Sequence, residues 1–134
     1  MSVEWSRAFS TGVEWQDNHH KELLKKIDNL LDAMNVGMGR DEVMRLFKFM
    51  DDYFVFHFEA EENAMERLRY PDVDAHVNEH RGFIKEITRL EDECRESVSV
   101  ATVVKTQSMV VDWLIKHIGK SDKALGAFIV EKRT

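Results

Sequence analysis

The stretch Phe54-Val55-Phe56-His57-Phe58-Glu59-Ala60-Glu61-Glu62-Asn63-Ala64-Met65 governs the architecture. Together with Phe47 and Met50 just before it, its Phe54, His57, Glu61 and Met65 recur every three or four residues, so they share one face of an amphipathic helix. That face is apolar except at His57 and Glu61, which stand one turn apart on the same side. An imidazole and a carboxylate on an inward stripe need partners, because a buried polar group left unpaired costs about 1–3 kcal/mol.

On either side of this stretch, three further segments show helical periodicity. Segment A, about 18 to 36, carries Leu23, Leu24, Ile27, Leu30, Leu31 and Met34 at the same spacing and stops at Gly37 and Gly39. Segment B, about 41 to 69, contains the opening stretch, with Asp41 as its expected N-cap. Tyr70-Pro71-Asp72 interrupts the chain, since Pro71 lacks an N–H and disfavours helix at the residue before it, while Asp72 can cap the next helix. Segment C then runs to about 95 with Val73, His76, His80, Phe83, Ile87, Leu90 and Cys94 on one face. Segment D, about 99 to 119, offers Val103, Val110, Leu114 and His117. Four helices with short connections predict an all-α, antiparallel up-down-up-down four-helix bundle. An extended arm from Val3 to Gln16 is expected to lay Trp5, Phe9, Val13 and Trp15 across it with little regular structure.

Composition narrows the function. The chain has 134 residues, enough for one domain with its own core, and no repeat or Gly/Ser-rich linker divides it, so residues 1–134 are expected to form a single domain. A formal net charge of −6 without clustered Lys or Arg disfavours a nucleic-acid surface. No apolar run approaches the roughly 18 residues that span a bilayer and no basic-then-apolar leader opens the chain, so a cytoplasmic location and no membrane span are expected. The single cysteine, Cys94, is too little for a disulfide or a thiolate metal cluster and reads as a small buried hydrophobe.

The remaining signal is the histidines: five of the six lie on apolar stripes of four different segments. His76 and His80 repeat the one-turn spacing of His57 and Glu61, His20 is in register with Leu23, Leu24 and Ile27, and His117 with Leu114. Asp122 follows His117 by five, which on a regular helix would aim it about 140° away. A bulge or break at Gly119-Lys120 is therefore expected, returning Asp122 to the axis. Nitrogen and oxygen donors without thiolate suit iron, manganese, copper or zinc, and seven ligands are too many for one ion. Two six-coordinate ions sharing both carboxylates and an oxo or hydroxo bridge would leave one position open, suited to one small neutral diatomic.

At this point the chain resembles the hemerythrin family, through Asp17-Asn18-His19-His20-Lys21-Glu22-Leu23, His57-Phe58-Glu59-Ala60-Glu61-Glu62 with Met65, Tyr70-Pro71, His76 and His80 with Phe83, and His117-Ile118 with Asp122. The resemblance implies a hemerythrin-like oxygen-binding domain with two non-haem irons joined by an oxo or hydroxo bridge. His76, His80 and His117 would hold one iron, His20 and His57 the other, with Glu61 and Asp122 bridging. Dioxygen would bind at the iron with two histidines, and Leu114, Phe58, Trp113 and Ile118 would line its pocket. The implied role is reversible oxygen binding for carriage, storage or delivery rather than catalysis. The alternatives are an oxygen or redox sensor acting through a protein partner, and a di-iron peroxidase or nitric oxide-handling enzyme. The chain stops soon after Asp122, which favours a free-standing carrier, with an oxygen-consuming protein as a conceivable partner. His19 departs from the glutamine often found there and is expected to face solvent and bind no metal.

Overall fold

The computed structural model describes residues 4–133. Its helices are α1 (Glu14–Asn35), α2 (Arg40–Leu68), α3 (Val73–Glu96), α4 (Val100–Lys116) and α5 (Lys123–Lys132), with a π turn at His117–Asp122 between the last two and one turn of 3-10 helix at Arg7–Phe9. Consecutive helices α1 to α4 pack as neighbours and α4 returns to α1, closing the four-helix bundle. No described helix is long and apolar enough to cross a membrane.

Each inward stripe buries as its spacing requires. Leu23, Ile27, Leu30 and Leu31 of α1, Phe47, Met50 and Phe54 of α2 and Phe83 and Ile87 of α3 are shielded from solvent in one core, with Cys94 among them. Phe54 and Phe83 meet across the α2–α3 interface with ring centroids 4.5 Å apart. Truncating such a fully buried phenylalanine costs about 3–5 kcal/mol.

Several boundaries differ from the sequence expectation. α1 begins at Glu14, four residues early, so Trp15 and Gln16 belong to the helix and not to the arm. The cause lies upstream: Asp17 accepts hydrogen bonds from the Thr11 backbone N–H at 2.9 Å and the Ser10 hydroxyl at 2.8 Å, which fold the arm back over the first turn. The arm itself includes the 3-10 turn, and Trp5, Phe9 and Val13 do pack on the bundle. Asp41 sits in the first turn of α2 and not at its N-cap, a position held by Gly39. Asp72 occupies the N-cap of α3 without a side-chain hydrogen bond. Ser99, by contrast, forms a full capping box on α4, exchanging hydrogen bonds with Thr102 at 3.2 and 2.8 Å.

The helical chain also extends beyond segment D. After the π turn it continues as α5, whose Leu125 and Ile129 join Val13, Met65 and Tyr70 in a second apolar cluster under the site. Gly126 is what lets α5 meet the arm: a Cβ there would lie 2.6 Å from both Cβ and the backbone oxygen of Thr11. Gly126→Ala is therefore expected to lower the thermal midpoint by several degrees, a loss of about 1–3 kcal/mol from overpacking against backbone that cannot yield. An unchanged midpoint would mean that the arm is not seated on α5.

One half-buried acidic pair lies away from the site. Burial first, and then the neighbouring Glu91, push the Asp51 carboxyl up to about 9. Folding thus takes up a proton, so this contribution to stability falls as pH rises from about 4 to 9. Asp51→Asn removes the slope: the variant should match the parent near pH 4 and exceed it by about 1–2 kcal/mol at pH 8, allowing for solvent screening of a partly exposed group. Denaturant midpoints across that range test it.

Candidate metal centre

Three helices and the π turn each aim side chains at one buried point. His20 comes from α1, His57 and Glu61 from α2, His76 and His80 from α3, and His117 and Asp122 from the two ends of the π turn. All seven are buried. The i→i+5 pattern widens the backbone so that residues five apart share a face, the distortion the spacing of His117 and Asp122 demands.

The ligand atoms form two overlapping groups, each with its members within 4.8 Å of one another. One contains His76, His80 and His117, the other His20 and His57, and both contain Glu61 and Asp122. Glu61 Oε1 lies 3.1 Å from His76 Nε2 and 3.0 Å from His80 Nε2, while its Oε2 lies 3.2 Å from His57 Nε2. Asp122 Oδ2 lies 2.8 Å from His20 Nε2, and its Oδ1 3.0 Å from His117 Nε2 and 3.1 Å from His76 Nε2.

These approaches are close but mostly misdirected. His20 Nε2, His57 Nε2, His117 Nε2 and both Asp122 oxygens make no properly oriented hydrogen bond, although all are buried. Their lone pairs converge on shared space instead of on each other, which is how donors around a cation stand. Such orphaned atoms would be costly in a metal-free core, so the donor set fits bound metal cations.

The electrostatics agree. Burial disfavours the charge on His20 and His76, yet Asp122 and Glu61 outweigh it and raise both to about 9. Burial likewise works against ionisation of Glu61 and Asp122, and the surrounding imidazoles more than compensate, holding both carboxyls well below their usual range. Two carboxylates share this pocket only because positive charge collects around them.

The structure also supplies a supporting layer that the sequence left undetermined. Gln16 donates from Nε2 to Glu61 Oε2 at 2.7 Å from a fully buried position. The outward Nδ1 atoms of His80 and His117 meet Glu62 and Glu79, each at 2.8 Å. Glu79 further accepts from the Ser121 hydroxyl at 2.7 Å, tying α3 to the π turn. Phe58 stacks on His80 at 3.8 Å and Trp113 on His117 at 4.4 Å. Leu114 and Ile118 are buried in the adjoining core.

His19 does not face solvent as expected. It is half-buried between Trp15, Tyr53 and Phe56, and its Nδ1 lies 2.9 Å from His57 Nδ1. Burial and then the charges of His57 and His20 lower its pKa to about 4, so it stays neutral near pH 7. It lies outside both ligand groups.

Comparison with known proteins agrees with this geometry. Residues 11–129 match the family model described as the hemerythrin HHE cation binding domain. The chain is 32% identical over 125 residues to the bacteriohemerythrin of Methylococcus capsulatus, covering 92% of this chain and 94% of that protein. It is 28% identical over 119 residues to the myohemerythrin of Theromyzon tessulatum, covering 89% and 87% of the two. A crystal structure of wild-type hemerythrin superposes with a TM-score of 0.85 at 30% identity, covering 95% of this chain and 97% of its own. On the fold, the convergent ligand groups and these matches together, the chain belongs to the hemerythrin family.

Proposed function

We propose that this protein binds dioxygen reversibly at a non-haem di-iron centre and serves to carry, store or deliver oxygen. The observation that carries the reading is the pair of overlapping ligand groups, three histidines on one side and two on the other, sharing Glu61 and Asp122. His76, His80 and His117 would hold one iron and His20 and His57 the second, with the two carboxylates and an oxo or hydroxo group bridging. When bound, the iron pair supplies the electrons and the coordination site that dioxygen needs.

The chain's own residues do the rest. His20 and His57 offer one imidazole fewer than the other side, so an ion held there would keep a coordination position for dioxygen. Leu114, one turn before His117, together with Phe58 and Ile118 forms an apolar wall that excludes water and anions, and Trp113 braces His117 from outside. Gln16 fixes the Glu61 carboxylate by donating to Oε2, and Glu62 and Glu79 hold the His80 and His117 rings in the orientation that keeps Nε2 inward. Five imidazoles leave little room for a second substrate, which favours binding over catalysis.

The test is to load the protein with iron(II) anaerobically, admit air and then remove it through several cycles while recording the visible spectrum. Repeated colouring and bleaching is expected; a single irreversible oxidation that consumes hydrogen peroxide would contradict the carrier reading. Leu114→Ala should speed autoxidation severalfold, at a stability cost of about 2–5 kcal/mol. Unchanged autoxidation would remove Leu114 from the oxygen pocket.

A further inference from the structure

The two metal positions are supported unequally, and the difference is built into the residues behind the ligands. On the three-histidine side, His80 and His117 each direct Nδ1 at a carboxylate, Glu62 and Glu79. A ligand that binds metal through Nε2 keeps its proton on Nδ1, so both rings donate to an anion, which raises their basicity and fixes their planes. Aromatic faces clamp the same two rings. On the two-histidine side no anion among the described residues plays this part: His57 Nδ1 meets the ring of His19, and His20 Nδ1 is buried with no hydrogen-bond partner. With His57 donating, His19 accepts through Nδ1 and carries its own proton on Nε2.

We propose that the two-histidine position is the weaker of the pair, emptying first and filling last, and that His19 is the positioning residue that keeps it occupied. The inference rests on the di-metal reading above. Fewer imidazoles and no anionic support both lower affinity there, and among the described residues His19 is the sole hydrogen-bond partner of Nδ1 on either ring. His19 can serve because Trp15, Tyr53 and Phe56 surround it and hold its ring against His57. Glutamine can replace it, since the side-chain carbonyl accepts the same hydrogen bond, whereas alanine cannot.

The experiment uses the full chain loaded anaerobically with iron(II) and follows bound iron per chain during exposure to excess chelator. The parent should release iron in two phases of one equivalent each. His19→Ala should hasten the first phase about ten- to a hundredfold, the usual effect of removing a ligand's hydrogen-bond partner, and leave the second unchanged. His19→Gln should restore the parent rate, and Glu79→Gln should hasten only the second phase. Far-ultraviolet circular dichroism confirms that each variant is folded. Release of both equivalents in one phase, or a His19→Ala effect on both phases or on neither, overturns the proposal while leaving the di-metal centre standing. A parent protein that never takes up two equivalents overturns the di-metal reading and this inference with it.

Discussion

Glu61→Gln should strip the protein of both metal ions at once, lowering bound iron from two equivalents to near none. Glu61 is the one side chain of α2 that touches both ligand groups, with Oε1 toward His76 and His80 and Oε2 toward His57. Glutamine keeps the size but replaces a divided anion with a neutral amide, one end of which donates and repels a cation. Gln16 Nε2, which now gives its hydrogen to Oε2, would hold the amide oxygen on that side and leave the NH2 pointing toward His76 and His80. The metal-free variant should suffer as well. His20, His76 and His117 hold protons because two carboxylates face them, and removing half of that countercharge leaves buried cations unpaired, at a cost of about 3–5 kcal/mol. Iron content and a denaturant titration check both parts; a variant that keeps two irons would show that Glu61 does not bridge.

Without metal, stability should fall as pH rises through the range in which the iron-loaded protein is steady. His20 and His76 have folded pKa values of about 9 against an ordinary 6.5. Their stabilising contribution is therefore complete below about 6.5 and is lost as pH rises through 9. Glu61 and Asp122 act in the opposite sense: depressed below their ordinary values of 4.5 and 3.8, they contribute above those values and lose that contribution only in strong acid. The metal-free form should thus be most stable between about pH 4.5 and 6.5 and lose roughly 2–3 kcal/mol or more by pH 9. Iron displaces the same protons, so its affinity should climb steeply over that interval. Asp51 titrates in both forms, and the difference between metal-free and loaded denaturant midpoints isolates the site. A difference that does not change with pH would mean that protons and metal do not compete there.

Much of this centre is legible in the sequence because helical periodicity converts spacing into direction. His57 with Glu61 and His76 with His80 declare a shared face, and the apolar residues in register with His20 and His117 turn those rings inward. Even the π turn can be read from the conflict between a five-residue spacing and a 3.6-residue helix at His117 and Asp122. What escapes is set by tertiary contact. Glu62 and Glu79 stand next to ligands on exposed-looking faces, and only the approach of α2 to α3 and of α3 to the π turn shows which ring each one meets. His19 reads as outward-facing because its own helix offers it no core, yet Tyr53 and Phe56 on the neighbouring helix cover it. Gln16 reads as part of an arm because no apolar period announces α1 before residue 18; Asp17, by pairing with Ser10 and Thr11, extends the helix backward and delivers Gln16 to Glu61. Helix α5 is foreshadowed by Leu125, Phe128 and Ile129, whose three- and four-residue spacing continues past the π turn.

Anomalous diffraction at the iron edge, from crystals of the iron-loaded protein, bears more sharply than any other measurement on whether seven side chains hold a pair of ions. Two peaks are expected, one among His76, His80 and His117 and the other beside His20 and His57, both within bonding reach of Glu61 and Asp122. A single peak, or iron bound away from these seven side chains, would contradict it.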